Sequence, residues 1–236
     1  MKKLVVFNHK MYLDFYNIKD YIKEIKDNIR TDIDVVICPS SIFIPFFVGR
    51  YDFKLGAQNL CHTFCTGEVS GALLKSLGVK YVIIGHSERK QVLHESSKEI
   101  NLKIKDAIAN NLIPIVCIGE TIEDRGMKRT QEVILKQLRE YFRGVEMGFD
   151  IVIAYEPVWA IGSGVVPSNS DIEEVIDLVK NAIYRAHNID IKVLYGGSVN
   201  EENIKVFEKI KNLDGYLLGK VSSIPHKVLK LLNSVK

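Results

Sequence analysis

The chain has 236 residues, 47% apolar and 26% charged, the balance of a globular protein that can bury a core without disulfides or a structural metal. Lys plus Arg exceed Asp plus Glu by only 32 to 29, with no basic stripe interleaved with aromatics, so nucleic acid is not an expected partner while small anions remain favoured. No apolar run reaches the roughly 18 residues that span a membrane, and even residues 42–48 are interrupted by Pro45, so no membrane partner is expected.

Met1, Lys2 and Lys3 imitate the start of a secretory signal, but the apolar run behind them stops at Asn8, so residues 4–8 read as a first strand. From there one pattern repeats: a short β-branched apolar run, a polar or glycine turn, then apolar residues at helical spacing. Strands are expected at 4–8, 34–38, 54–58, 81–86, 113–118, 150–156, 192–196 and 214–219, most of them continuously apolar as strands covered on both faces should be. Helices are expected at 20–29, 96–109, 130–142, 171–186, 201–210 and 225–232. Ser170 with Glu173 fits a capping box, Asn200 precedes two carboxylates that a helix dipole favours, and Pro225 suits a first turn. No linker or composition break interrupts residues 1–236, so a single domain is expected. Eight strand-helix units without a dinucleotide-type glycine turn favour a closed (β/α)8 barrel of parallel strands over an open sheet.

Cys38, Cys61, Cys65 and Cys117 are few and irregularly spaced, the usage of reduced thiols in the cytoplasm. Cys61, His62 and Cys65 form one cluster without a second ligand pair, which reads as a surface loop rather than a zinc site.

In a parallel barrel the loops after the strands build the active site, and here the strand ends are polar. Asn8 and Lys10 end the first, His86, Ser87 and Glu88 the fourth, Glu156 the sixth; Gly196, Gly197 and Ser198 follow the seventh, Gly219 and Lys220 the eighth. Closure brings a lysine, a histidine and a glutamate to one mouth, an acid/base set, while the glycine turns expose backbone N–H groups to a phosphate. A segment over 157–166, with Trp159 between Pro157 and the glycines 162 and 164, has the punctuation of a lid. Each residue alone has a plainer reading, as packed histidine, solvated lysine or tight turn; the convergence of several strand ends outweighs those.

The stretches 84–89 (IGHSER), 154–162 (AYEPVWAIG) and 194–199 (LYGGSV) closely resemble the triosephosphate isomerase family. Residues 8–10 (NHK), 56–59 (GAQN), 66–70 (TGEVS) and 114–120 (PIVCIGE) match its pattern in order, so the resemblance covers nearly the whole chain. It implies an aldose–ketose isomerase of glycolysis and gluconeogenesis, acting on a phosphorylated triose without metal or organic cofactor, and working as a homodimer. It implies Glu156 as the base, His86 as electrophile and proton shuttle, and Lys10 and Asn8 beside the substrate oxygens. Gly162, Gly197, Ser198, Gly219 and Lys220 would hold the phosphate. Glu88 would position Lys10, with Ser87, Cys117 and Glu120 in support, and Arg89 in an ion pair away from the mouth. The glutamate base and neutral histidine are the division of labour for which this family is the standard example.

Four features depart from the family's pattern. His9 stands where an aromatic is usual; Lys220 replaces the second glycine of the last turn; Pro167 sits at the far hinge of the lid; and residues 59–66 form a shorter loop than the one that reaches a partner subunit in relatives. Two other readings remain open at this stage: a different phosphosugar isomerase or epimerase on the same barrel, and a binding protein that has kept the ligand site. Both would be favoured by loss of Lys10, His86 or Glu156, and all three are present.

Overall fold

A computed structural model describes residues 2–49, 51–147, 150–161 and 165–235. Eight strands, β1 (Leu4–Asn8), β2 (Asp34–Cys38), β3 (Lys54–Ala57), β4 (Tyr81–Ile84), β5 (Ile113–Ile118), β6 (Val152–Tyr155), β7 (Lys192–Tyr195) and β8 (Gly215–Leu218), pair in chain order. Every pairing is parallel, and β1 closes on β8 through Leu4 with Gly215 and Phe7 with Leu218. The (β/α)8 barrel expected from the repeat is therefore present.

Alternation along each strand divides the core into two shells. Leu4 and Val6 point into the barrel, where they pack with Val36, Ile83, Ile115 and Leu217. Val5 and Phe7 point outward to the helices, into a larger cluster that includes Ile18, Ile104, Ile176 and Val228. Each such wholly buried side chain contributes about 1.5–3 kcal/mol of apolar transfer, and the polar residues of these strands, Asn8, Asp34, Lys54 and Lys192, stand at strand ends. Gly215 belongs to this shell for another reason: a Cβ there would lie 1.8 Å from the carbonyl oxygen of Leu4, so the barrel seam closes only over glycine.

Several element boundaries differ from the sequence expectations. The first helix is Phe15–Ile25 rather than 20–29, because Asp14 accepts from the N–H groups of Tyr16 and Asn17 and starts it a turn and a half earlier. The capping box at the long helix Asn169–His187 is formed by Ser168 with Asp171, not by Ser170 with Glu173. The helix expected over 201–210 shortens to Ile204–Phe207, since Asn200 accepts from Glu202 and Asn203 in a turn ahead of it. The helices Ser97–Ala109, Thr130–Tyr141 and Pro225–Leu232 lie close to their expected spans, Pro225 in the first turn of the last. Short helices at Gly71–Ser76, Ser87–Val92 and Ile122–Gly126 were not expected from periodicity, being too short to show it.

The fourth strand ends at Ile84, before the 81–86 span expected, because Gly85 at φ +69° turns the chain out of the sheet. Among the described residues no helix is long and apolar enough to cross a membrane.

Candidate active site

The polar strand ends converge on one cleft of about 550 Å3 at the C-terminal mouth of the barrel, lined by Asn8, Lys10, His86, Glu156, Gly197, Ser198, Gly219 and Lys220 among others. With Gly196, nine of the residues singled out in the sequence thus meet in one place. Gly162 lies outside the described residues, as do Ser163 and Gly164 of the expected lid.

Glu156 is the first residue beyond β6, and its side chain is 3% exposed. Room for it comes from glycine on both neighbouring strands: a Cβ on Gly119 would lie 1.8 Å from the Glu156 carbonyl oxygen, and one on Gly196 would lie 2.7 Å from its Cγ. Its Oε2 accepts the backbone N–H of Ser87 at 3.3 Å, and its Oε1 stands 3.3 Å from Nε2 of His86.

His86 precedes the helix Ser87–Val92 and caps it, with Nδ1 accepting the N–H of Glu88 at 3.3 Å. A ring nitrogen that accepts carries no proton, so this contact favours the neutral tautomer with its proton on Nε2, facing Glu156 and the cleft.

Lys10 holds an uncommon backbone conformation, φ +48°, which aims its stem across the mouth toward Gly219. Its carbonyl accepts from Ser40 Oγ at 2.8 Å and Gln58 Nε2 at 2.9 Å, and its N–H donates to Asn8 Oδ1 at 3.1 Å. Its ammonium meets Glu88 Oε1 at 2.5 Å. Glu88 is thus the partner of Lys10 and sits at the rim, half exposed.

Ser222 ties the opposite wall together: its Oγ lies 2.7 Å from the carbonyl of Asn8 and 2.5 Å from that of Gly219, joining the exits of β1 and β8. Ser198 donates to the carbonyl of Ala160 at 2.6 Å, linking the β7 turn to the near end of the expected lid. Gly197 has its own steric reason to be glycine, since a Cβ would stand 2.1 Å from Oη of Tyr195.

Four candidates support the cleft from outside its lining. Ser87 acts through its amide on Glu156. Cys117 points into the barrel below the site, its thiol pushed well up first by burial and then by the Glu156 carboxylate, so it stays protonated. Glu120, wholly buried, accepts from Tyr155 Oη at 3.2 Å and Trp159 Nε1 at 3.1 Å, with Arg125 at 3.8 Å and its guanidinium over the Trp159 ring. It anchors the segment Val158–Ala160 that opens the lid region. Arg89 pairs with Glu95 at 2.7 Å, and Glu95 with Lys103, away from the mouth.

Sequence reasoning assigned nothing to Ser40, Gln58, Arg125 or Ser222. Gln58 stood in a family-like stretch and carried a signal; Ser222 and Arg125 carried none, because their contacts cross the barrel. Among the described residues no three His, Cys, Asp or Glu side chains group as metal ligands, and the four cysteines are free thiols.

The family model for triosephosphate isomerase matches residues 3–235. The chain is similar to the triosephosphate isomerase of Ehrlichia chaffeensis, 41% identical over 94% of this chain and 92% of that one. It is similar to that of Alkaliphilus oremlandii at 38%, over 98% and 99%, and to that of the Wolbachia of Brugia malayi at 38%, over 100% and 99%. A closed parallel barrel, an acid/base cleft at its C-terminal mouth and matches of this length agree, and the chain belongs to the triosephosphate isomerase family.

Proposed function

We propose that Glu156, His86 and Lys10 carry out the reversible interconversion of dihydroxyacetone phosphate and D-glyceraldehyde 3-phosphate in this chain. The observation that carries the assignment is the 3.3 Å approach of His86 Nε2 to Glu156 inside a cleft whose far wall holds Ser198, Gly219 and Lys220. Glu156 takes the proton from the carbon beside the carbonyl, and the electron pair moves to the carbonyl oxygen, giving an enediolate. Nε2–H of His86 donates to that oxygen, and the imidazole then passes a proton between the two oxygens while Glu156 returns its own to the neighbouring carbon. Lys10, held by Glu88, and Asn8 lie beside the developing negative charge. Backbone N–H groups around Gly197, Ser198, Gly219 and Lys220, together with Gly162, hold the phosphate. Residues 157–166 close over it and exclude water, a lid motion for which this family is itself a known example.

The chain works as a homodimer in the cytoplasm, where its four thiols stay reduced. Support for the dimer comes from Phe64, fully exposed at the tip of the short third loop, and from exposed Met11, Val92 and Leu93. Those last three line a hollow of about 750 Å3 next to Lys10 and Glu88, in which an aromatic side chain of another copy would lose its contact with water.

The test is turnover of glyceraldehyde 3-phosphate by purified protein, coupled to NADH loss through glycerol-phosphate dehydrogenase against an enzyme-free blank. The expected kcat/KM is on the order of 10⁶ M⁻¹s⁻¹ or more. Blank-level rates in folded protein that still binds inorganic phosphate would overturn the reading.

A further inference from the structure

Three lysines line the cleft, and two are paired with carboxylates. Lys10 meets Glu88 at 2.5 Å, and Lys227 meets Glu201 at 2.8 Å. Lys220, exposed at the exit of β8, has no carboxylate partner among the described residues. Glu201 lines the same cleft with a side chain only 7% exposed, and the hydrogen bond from Lys227 holds its carboxyl below the usual range, so it is an anion beside the place where an anion binds.

We propose that the Lys220 ammonium is a direct ligand of a phosphate monoester dianion at the β7–β8 end of the cleft, and that Lys227 keeps the Glu201 carboxylate from repelling it. The assignment rests on the proposed isomerase reading for the identity of the substrate, but not for the anion site. With Lys10 paired to Glu88 and Lys227 to Glu201, and with Glu156 turned toward His86, the lining lysine left without a carboxylate partner among the described residues is Lys220. Gly219 keeps the neighbourhood compact, since a Cβ there would touch the Lys10 stem at 3.2 Å. Lys10 and Lys220 line the same cleft from the adjoining exits of β1 and β8. A lysine at this turn contributes a mobile point charge where glycine offers only a backbone donor, so recognition gains a part that depends on ligand charge and weakens with salt.

The Glu201–Lys227 pair also joins the loop after β7, which carries Ser198, to the helix Pro225–Leu232, which follows the turn Lys220–Ser223. Removal of Lys227 releases a nearly buried carboxylate toward the cleft, so its loss is expected to weaken anion binding even though Lys227 is not itself free to bind.

The test compares wild type with Lys220→Met, Lys220→Arg, Lys227→Met and Lys227→Met/Glu201→Gln. It reads KM, kcat, the inhibition constant of inorganic phosphate, and ³¹P line broadening of inorganic phosphate, from about 20 to 300 mM salt. At low salt Lys220→Met is expected to raise KM and the phosphate constant roughly fivefold, the order of one charge pair near water, with the loss falling on KM rather than kcat and shrinking at high salt. Lys220→Arg is expected to stay near wild type. Lys227→Met is expected to weaken phosphate binding, and Glu201→Gln in that background to restore it. If wild type isomerises and Lys220→Met binds phosphate as well as wild type at low salt, the proposal fails while the isomerase reading stands. If wild type does not isomerise yet Lys220→Met broadens the phosphate line less, the isomerase reading fails and the anion ligand stands.

Discussion

Nε2 of His86 lies 3.3 Å from Oε1 of Glu156, and the two side chains are 7% and 3% exposed. The same carboxylate accepts the Ser87 amide, so the base is held against its electrophilic partner rather than over a vacant site. A substrate entering between them replaces both contacts, and the carboxylate exchanges an N–H donor for the proton it removes.

Replacement of Glu156 by Gln keeps the size and the contact with Ser87 while deleting the base. We expect kcat to fall by about 10³-fold or more, with the affinity for inorganic phosphate within a factor of about two of wild type. Steady-state kinetics and ³¹P titration check both parts. A variant as active as wild type would remove Glu156 from the reaction.

Gly119 sits beneath Glu156, where a Cβ would stand 1.8 Å from the glutamate's carbonyl oxygen. Backbone on both sides leaves nothing flexible to yield, so Gly119→Ala is expected to cost about 3 kcal/mol and to displace Glu156. Urea unfolding measures the first and kcat the second. Stability within about 0.5 kcal/mol of wild type would show that the two strands separate more easily than their pairing implies.

His9 is buried edge-on against Tyr21 at 4.6 Å, neither ring nitrogen has a hydrogen-bond partner, and burial pushes its pKa down to about 3. The unfolded chain therefore takes up this proton near pH 6.5 and the folded one does not until near pH 3. Stability that is complete above pH 6.5 falls with decreasing pH across that window, by about 1.4 kcal/mol per unit from this one group. His9→Phe, which puts back the usual aromatic, is expected to remove that slope. Denaturant midpoints from pH 7 to 4 test it, and identical pH dependence in both proteins would mean that His9 finds a partner or water.

Phe64→Glu places a charge on the loop tip taken to enter a second subunit. Light scattering over a dilution series is expected to show a dimer for wild type and a monomer for the variant at micromolar concentration, with reduced activity in the monomer because the hollow adjoins Lys10 and Glu88. A monomeric wild type with full activity would end the dimer proposal.

The sequence by itself determined the alternation of strands and helices, the closed barrel that alternation implies, and the identity of the polar residues at the strand ends. These are readable because periodicity and motif spacing are local properties of the chain. It also marked Glu88 as the companion of Lys10, a pairing the structure contains.

Tertiary structure decided what depends on distance across the barrel. Whether Asp14 or Asp20 starts the first helix, and whether Ser168 or Ser170 caps the long one, turns on small differences between nearby residues of similar capping strength. That Gly119 and Gly196 make room for Glu156 follows from the register of β5, β6 and β7, which no single stretch encodes. Ser222 reaches Asn8, more than two hundred residues away, only because β8 closes against β1. His9 is polar in sequence yet sealed in an apolar pocket, because the outward face of the β1 exit is covered by Tyr21 and Phe47.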